Sequence, residues 1–435
     1  MGMRVRPRAS NAAATHKGIA SAKDFIHTVH RTSVRPEVLD CTACGKKHEV
    51  ALRNLCDCGA PLFARYDFSQ VRREDLRERT DLWRYAPLLP LDEDRIRSRG
   101  EGGTPLVRLN IFGSGGRVAR LKLAALYVKD EGRNPTGTFK ARGMAVALPM
   151  ARALGAESVV LPTAGNAGAA LALYAATYGL GATIFMTEDA PTDAARTALA
   201  HWATLFTSVG DIALAGAMAQ EYASKSGAFN MATLREPYRV EGKKTILFEI
   251  WEDLGEMPDW IVFPTGGGTG VAGIWKGLQE LRQLGWYEGP VPRIGLVQAA
   301  GCAPLVRAWA TGRESAEPWP RPRTAAAGLR VPSTIADRIV LRAVRETRGA
   351  AVEVTEDAMM LAARNLAGFE GISAGLEGGA ALAGLRRLYD EGTIRSDDRV
   401  VVVNTGTARD GGLPLPSIPS VRSAAEAITL TSQDA

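Results

Sequence analysis

"DWIVFPTGGGTGVAGIWKGLQELRQLG", residues 259–285, decides the fold class. Its first seven residues are a nearly continuous apolar run. The GGGTG turn follows, and then apolar residues return at helical spacing with Lys, Gln, Glu and Arg between them. A strand without polar alternation is buried on both faces. A short turn from such a strand straight into a helix points to α/β architecture with a parallel sheet. The glycines also have a chemical reading. They let a backbone approach an anion, and the following helix start offers free N–H groups and a positive dipole end. A tight turn with no ligand is the plainer alternative. A Walker-type loop is excluded because no Lys-Ser/Thr follows, and the spacing also breaks the dinucleotide fingerprint.

Outward from this stretch the same alternation recurs. "ALYVKDE" is a strand, and "SVVLPT" (Ser158–Thr163) is another, leading through "AGNAG" into a helix. "ATIFMTE", "TLFTSV", "RIGLVQA" and "DRVVVVNTG" are further strands, and "KKTILFEIWEDLG" and "EGGAALAGLRRLYDEG" are helices. The whole reads as α/β, two lobes each with a mostly parallel sheet flanked by helices. A ligand belongs between them, at the strand ends. Residues 134–143, "NPTGTFKARG", set Lys140 at the mouth of a helix. A lysine there is a surface charge, a phosphate ligand or a nucleophilic amine.

Composition bounds the class. The chain has 435 residues, 46% hydrophobic and 23% charged, as in ordinary globular proteins. No apolar run reaches the roughly 18 residues of a membrane span. The net charge of +6 is spread, with no basic block that marks a nucleic-acid tail. The opening residues are Arg-rich and acid-poor, which fits a disordered tail or an organelle transit peptide. Residues 72–99 are highly charged and read as one or two amphipathic helices linking the front of the chain to its body.

Four of the five cysteines fall close together: Cys41 and Cys44 in "CTACG", Cys56 and Cys58 in "CDCG". Two thiolate pairs on glycine turns suit one tetrahedral Zn(II) in a module too small to hold itself together by its core. Free thiols and disulfides are the alternatives. Each makes the site structural. Nothing else points to an oxidising compartment, which places the protein in the cytoplasm.

Further segments complete a pattern: "EGGTPLVRL", "VKDEGRNPTGTFKARGM", "PTAGNAGAALA", "EPYRVEGKKT", "PTGGGTGVAGIWKG", "GLRVP" and "VVVNTG". Together they resemble the fold type II, tryptophan synthase β-like enzymes that use pyridoxal 5'-phosphate, and within these the threonine synthase group. The resemblance spans about residues 36–412 and includes the leading zinc-ribbon-like cysteine module. It implies that Lys140 holds the cofactor covalently and that Asn166 bonds its phenolic oxygen. It also implies that Gly266, Gly267, Gly268, Thr269 and Gly270 cradle its phosphate and that Thr405 faces its ring nitrogen. Thr163, Ala164, Gly165 and Ala167, with Asn166, form the loop that offers backbone N–H groups to a substrate carboxylate. Arg239 falls where the group carries a ligand for the phosphate of a small phosphorylated amino acid, and a surface ion pair is the alternative. Phe139 reads as packing.

The implied activity is that of a carbon–oxygen lyase acting on phosphates, making L-threonine and phosphate from O-phospho-L-homoserine and water. Another β-elimination or β-replacement enzyme is the alternative: an ammonia-lyase, a threonine or serine dehydratase, or a cysteate-synthase-like enzyme. The implied assembly is a homodimer, with neither nucleic acid nor membrane as partner. The expected layout is a basic tail over 1–35, the cysteine module over 36–68, a large lobe from 69–130 with 240–416, a small lobe over 131–239, and a tail over 417–435. Two positions depart from the group's usual pattern. Ala141 stands where "FKDRG" carries an acid, and Ala167 stands where a hydroxyl residue is usual.

Overall fold

A computed structural model describes residues 34–109 and 121–408. The basic tail up to residue 33 and the expected tail at 417–435 lie outside the described residues. Three sheets organise the chain. The front module is a small antiparallel sheet of β1 (Pro36–Cys41), β2 (Lys47–His48) and β3 (Leu62–Tyr66), in the order β2-β1-β3. The large sheet contains β4 (Leu106–Arg108), β5 (Ala125–Asp130), β10 (Trp260–Pro264), β11 (Arg293–Ala299), β12 (Ala350–Val354) and β13 (Arg399–Asn404). Its order is β12-β11-β10-β13-β5-β4, parallel except for the short edge strand β4, which runs antiparallel to β5. The small sheet contains β6 (Ser158–Thr163), β7 (Gly181–Thr187), β8 (Thr204–Ser208) and β9 (Phe229–Asn230), all parallel, in the order β8-β7-β6-β9.

The helices cover these sheets. They are α1 (Lys140–Ala153), α2 (Asn166–Tyr178), α3 (Thr192–Ala200), α4 (Ile212–Ser226), α5 (Arg239–Leu254), α6 (Thr269–Gln283), α7 (Pro304–Ala310), α8 (Asp337–Glu346), α9 (Glu356–Glu370) and α10 (Leu376–Asp390). The large sheet shows why its strands read as unbroken apolar runs. Ile261, Phe263, Val401 and Val403 join a core shared with α1, α5 and the cysteine module, whereas Val262, Val297, Val400 and Val402 join a second core under α9 and α10. Both faces are covered, so alternation has no role. Among the described residues no helix is long and apolar enough to cross a membrane.

Residues 72–99 correct the expectation of amphipathic helices. Only short 3-10 turns form there: Arg73–Asp75, Leu82–Leu88 and Glu93–Arg95. Leu82, Trp83, Tyr85, Ala86, Leu88, Leu89 and Leu91 are buried as a contiguous wedge rather than a stripe, and Pro87 and Pro90 interrupt any regular helix.

One buried ion cluster ties the elements together below α1. Arg142 is fully buried between Glu131 and Glu249, with Nε on Glu131 Oε2 at 2.6 Å and Nη2 on Glu131 Oε1 at 2.7 Å and Glu249 Oε2 at 2.6 Å. Its Nη1 reaches Thr245 Oγ1 at 2.9 Å and Glu249 Oε1 at 2.5 Å. Lys129 adds a second cation to Glu249, at 2.9 Å. Gly103 donates its backbone N–H to Glu249 and Thr104 its hydroxyl to Glu131, which draws in the "EGGTP" loop. Removing one member of such a cluster strands buried charge. Arg142→Met is therefore expected to destabilise the cofactor-free protein by about 3–5 kcal/mol in urea unfolding. Glu221→Gln, which breaks only the exposed Lys225–Glu221 pair, leaves the midpoint unchanged.

Candidate functional site

Segments that follow the carboxyl ends of β5, β6, β10 and β13 converge: residues 138–140, 163–167, 264–271 and 405–407. With the 327–335 loop they line one cavity of about 270 Å³ between the two larger sheets. Lys140, Thr163, Ala164, Gly165, Asn166, Ala167, Gly266, Gly267, Gly268, Thr269, Gly270 and Thr405 all stand on its wall. Arg239 does not.

Lys140 is the first residue of α1, and the turn before it is pinned to the end of β13. Phe139 donates its N–H to the Thr405 carbonyl at 3.0 Å, and Thr407 donates to the Gly137 carbonyl at 2.9 Å. These bonds fix where the helix begins and hence where the amine points. Burial, then the nearby charge of Arg239, pulls Lys140 down to about 7 against the opposing pull of Glu377. A lysine tuned this way carries a useful fraction of neutral, nucleophilic amine near pH 7. Phe139 does more than pack. Its ring lies 4.4 Å from Lys140 Nζ and 3.8 Å from Lys243 Nζ, and it meets Phe263 edge-on at 5.7 Å.

The two glycine loops differ in what they require. Gly268 sits at φ +85°, and a side chain there would also meet Val340 at 2.5 Å. At Gly266 a Cβ would fall 2.1 Å from the Gly328 carbonyl, and at Gly270 it would enter the Phe263 ring at 2.2 Å. These positions leave an all-backbone cradle at the start of α6, whose first N–H groups have no intrahelical partner. A phosphate group fits it. In the other loop Gly165 has φ +127°, and Thr163 Oγ1 accepts its N–H at 3.0 Å. Asn166 and Ala167 then open α2 with free N–H groups facing the same cavity.

Arg239 opens α5 but is buried instead of lining the wall. Nη1 donates to the Met231 carbonyl at 2.8 Å, while Nε and Nη2 have no hydrogen-bond partner. Glu236, raised to about 7 by burial, caps the helix by accepting the N–H groups of Tyr238 and Arg239. The fully buried Lys243, one turn further along α5, bonds the Phe139 carbonyl and is pushed well below its ordinary value by burial and by Lys140. Sequence reasoning missed Glu377, Arg235 and Arg330 as wall residues. "GLRVP", a basic residue within a Gly/Pro loop, was the available signal for Arg330.

Away from the cavity, the Sγ atoms of Cys41, Cys44, Cys56 and Cys58 lie within 4.8 Å of one another, with 3.5 Å between Cys41 and Cys58 and 3.7 Å between Cys44 and Cys56. No disulfide joins them. Zn–S bonds of about 2.3 Å give tetrahedral S–S edges of about 3.8 Å, so the set fits such an ion. His48 Nε2 stands 3.3 Å from Cys56 Sγ, in the place of an outer support.

Residues 97–406 match the family described as pyridoxal-phosphate dependent enzyme. The chain is similar to the threonine synthase of Methanosarcina acetivorans, 33% identical over 375 residues that cover 85% of this chain and 91% of the relative. Similarity to the threonine synthase of Methanocaldococcus jannaschii is 34% over 375 residues, with 84% and 91% covered. Solved structures agree on the fold. Maize serine racemase gives a TM-score of 0.59 at 20% identity over 76% of this chain and 92% of that one. The fungal L-serine ammonia-lyase of Rhizomucor miehei gives 0.59 at 18% identity over 71% and 94%.

Two outcomes follow from this geometry. Gly266→Ala pushes the 327–335 loop off the cradle and lowers affinity for pyridoxal phosphate at least tenfold by equilibrium dialysis, on the order of 1.4 kcal/mol. If Lys140 is the amine that takes up the cofactor, which requires its deprotonated form, uptake followed by visible absorption quickens about tenfold per pH unit from below and levels off above about pH 7.

Proposed function

The chain belongs to the pyridoxal-phosphate-dependent enzymes and is a lyase of fold type II, and from that premise we propose that it converts O-phospho-L-homoserine and water to L-threonine and phosphate. The observation that carries the reading is the single cavity in which Lys140, the glycine cradle, the Asn166 loop and Thr405 meet. When bound, pyridoxal phosphate supplies an electron sink conjugated to the substrate's α-carbon.

The protein's own residues do the rest. With pyridoxal phosphate bound, the N–H groups from Gly266 to Gly270 would hold its phosphate at the positive end of α6. Asn166 and Thr405 would be the side chains available to its ring, and a hydroxyl at Thr405, rather than a carboxylate, would suit elimination or replacement better than transamination. Lys140 would anchor the cofactor and supply the base that takes the substrate's α-proton. The Thr163–Ala167 loop receives the substrate carboxylate on backbone N–H groups. Loss of a β-proton and cleavage of the Cγ–O bond would then release phosphate; the two abstracted protons would return at Cγ and Cα, and water would add its hydroxyl at Cβ and give its other proton to the released phosphate. Arg239, with two unpartnered donors behind the wall, makes the cavity attractive to a dianion and adds to burial in lowering the basicity of Lys140.

A second reading rests on Ala141 and Ala167. Ala141 is fully buried and Ala167 lines the cavity, and neither offers a polar side-chain atom to a substrate phosphate. Both fit an enzyme acting on phosphoserine or an unphosphorylated amino acid. The four cysteines hold a structural zinc, and the protein works in the cytoplasm as a homodimer.

Incubation with O-phosphohomoserine should release phosphate and threonine in equal amounts, and Lys140→Ala should abolish both. Reaction with phosphoserine or a diamino acid, and none with phosphohomoserine, would overturn the first reading in favour of the second. Arg239→Ala should raise KM for the phosphorylated substrate about tenfold or more, as loss of a buried cation behind the cavity wall predicts. The wild-type protein should carry about one zinc per chain and Cys41→Ser almost none; equal metal content in the two proteins would refute the zinc assignment.

A further inference from the structure

Arg330 stands on the cavity wall, on the 327–335 loop of the large lobe. That loop is held against the cofactor cradle: Thr334 Oγ1 donates to the Gly267 carbonyl at 3.0 Å, and Glu377 accepts the Gly328 N–H at 2.7 Å. From there Arg330 reaches across to the small lobe, where Nη2 meets Asp189 Oδ2 at 2.6 Å. Asp189 belongs to the turn between β7 and α3. The same turn leans on the Asn166 loop, since a Cβ at Gly165 would lie 3.0 Å from Pro191 Cδ. Asp189 is not itself on the wall, and its side chain is 53% exposed against 24% for Arg330. The pair thus bridges the two lobes at the mouth, with the cation on the cavity side and the anion on the solvent side.

The other basic wall residues have different commitments. Lys140 is the amine described above, and Arg235 turns toward Gln220 on α4, 3.2 Å away. Arg330 Nη1 donates to the Thr324 carbonyl at 3.3 Å, and its Nη2 is held by the half-exposed Asp189 carboxylate, a partner that is weakly bound and easily exchanged. A guanidinium fork accepts a phosphate in the same bidentate way as it accepts a carboxylate.

We propose that Arg330 selects substrates ending in a phosphate, with Asp189 as the internal carboxylate that occupies the guanidinium until the substrate displaces it. The proposal rests on the cavity being the cofactor and substrate site. It adds a specificity residue at the mouth that compensates for the missing polar atoms at Ala141 and Ala167. Asp189 also becomes a discriminator. A neutral side chain on the substrate cannot displace it, so unphosphorylated amino acids bind against a closed pair.

The test uses cofactor-loaded protein, in which the glycine cradle is filled, and inorganic phosphate as the probe, measured by calorimetry. Arg330→Gln should weaken phosphate binding about tenfold or more. Asp189→Asn should tighten it about two- to fivefold, the worth of an exposed ion pair no longer competing, and should lower KM for a phosphorylated substrate with kcat unchanged. Loss of binding in both variants would overturn the proposal, because the pair would then only hold the lobes together. Unchanged binding in Arg330→Gln would overturn it as well. If Arg330→Gln fails to retain cofactor, the sign of the Asp189→Asn effect decides alone, since that side chain is half in solvent. A protein that shows this phosphate pattern yet forms no threonine refutes the reaction proposed above and leaves Arg330 as an anion selector.

Discussion

The placement of Arg142 between Glu131 and Glu249 is the constraint on which the rest of the site depends. Arg142 lies two residues beyond Lys140 on the first turn of α1, and it is fully buried. Its partners are spread over β5's exit, the "EGGTP" loop and α5. A one-residue slip of α1 would break all of these contacts at once and leave buried charges unpaired. Such clusters contribute little net stability compared with apolar packing, because desolvation offsets most of the attraction. Their effect here is positional. The helix has one start, and Lys140 has one place to put its amine. A second buried cluster does the same for the docking of the cysteine module. Lys244 and Lys276 lie between Glu241 and Glu280 on α5 and α6, and the Tyr66 ring of β3 covers both ammonium groups at 4.8 and 5.0 Å.

Charge explains the site's chemistry in the same terms. Lys140, Lys243 and Arg239 stand close around the first turn of α1, with Glu377 facing Lys140 from α10, Glu131 facing Lys243 and Glu236 facing Arg239. Burial, with the repulsion among the three bases, favours a neutral amine at Lys140. The N-termini of α1, α2 and α6 add their dipoles to the same space. On the proposed reading, anion binding and amine activation come from one arrangement, which Arg330 extends to the mouth of the cleft.

Much of this was legible in the residues. The strands were readable because both faces of a parallel sheet are covered, which leaves continuous apolar runs such as "VVVV" at 400–403. The glycine loop at the start of α6 was readable because Gly266, Gly268 and Gly270 stand where a side chain would collide, so that the glycines themselves carry the signal. Residues 72–99 were misread because their charges suggested a helical stripe, whereas the apolar residues from Leu82 to Leu91 are nearly consecutive and broken by proline. The elements β12, α7, α8 and α9 went unread between "RIGLVQA" and "EGGAALAG". Glu377 and Arg330 were hidden for another reason. Each enters the cavity from a loop or helix start far along the chain, and only the closing of β13 against β5 and β10 brings them there. Arg239 was found by its motif, yet the motif does not reveal that α5 starts on it and buries it.

The central claim is that α1's fixed start gives the cofactor to Lys140 rather than to Lys243, the fully buried lysine that also packs against Phe139. Borohydride reduction of the purified protein, followed by digestion and mass spectrometry, tests this directly. The account predicts that the cofactor's mass is carried by the peptide containing Lys140 and that Lys243 is unmodified. A cofactor found on Lys243, or on neither lysine, would contradict it.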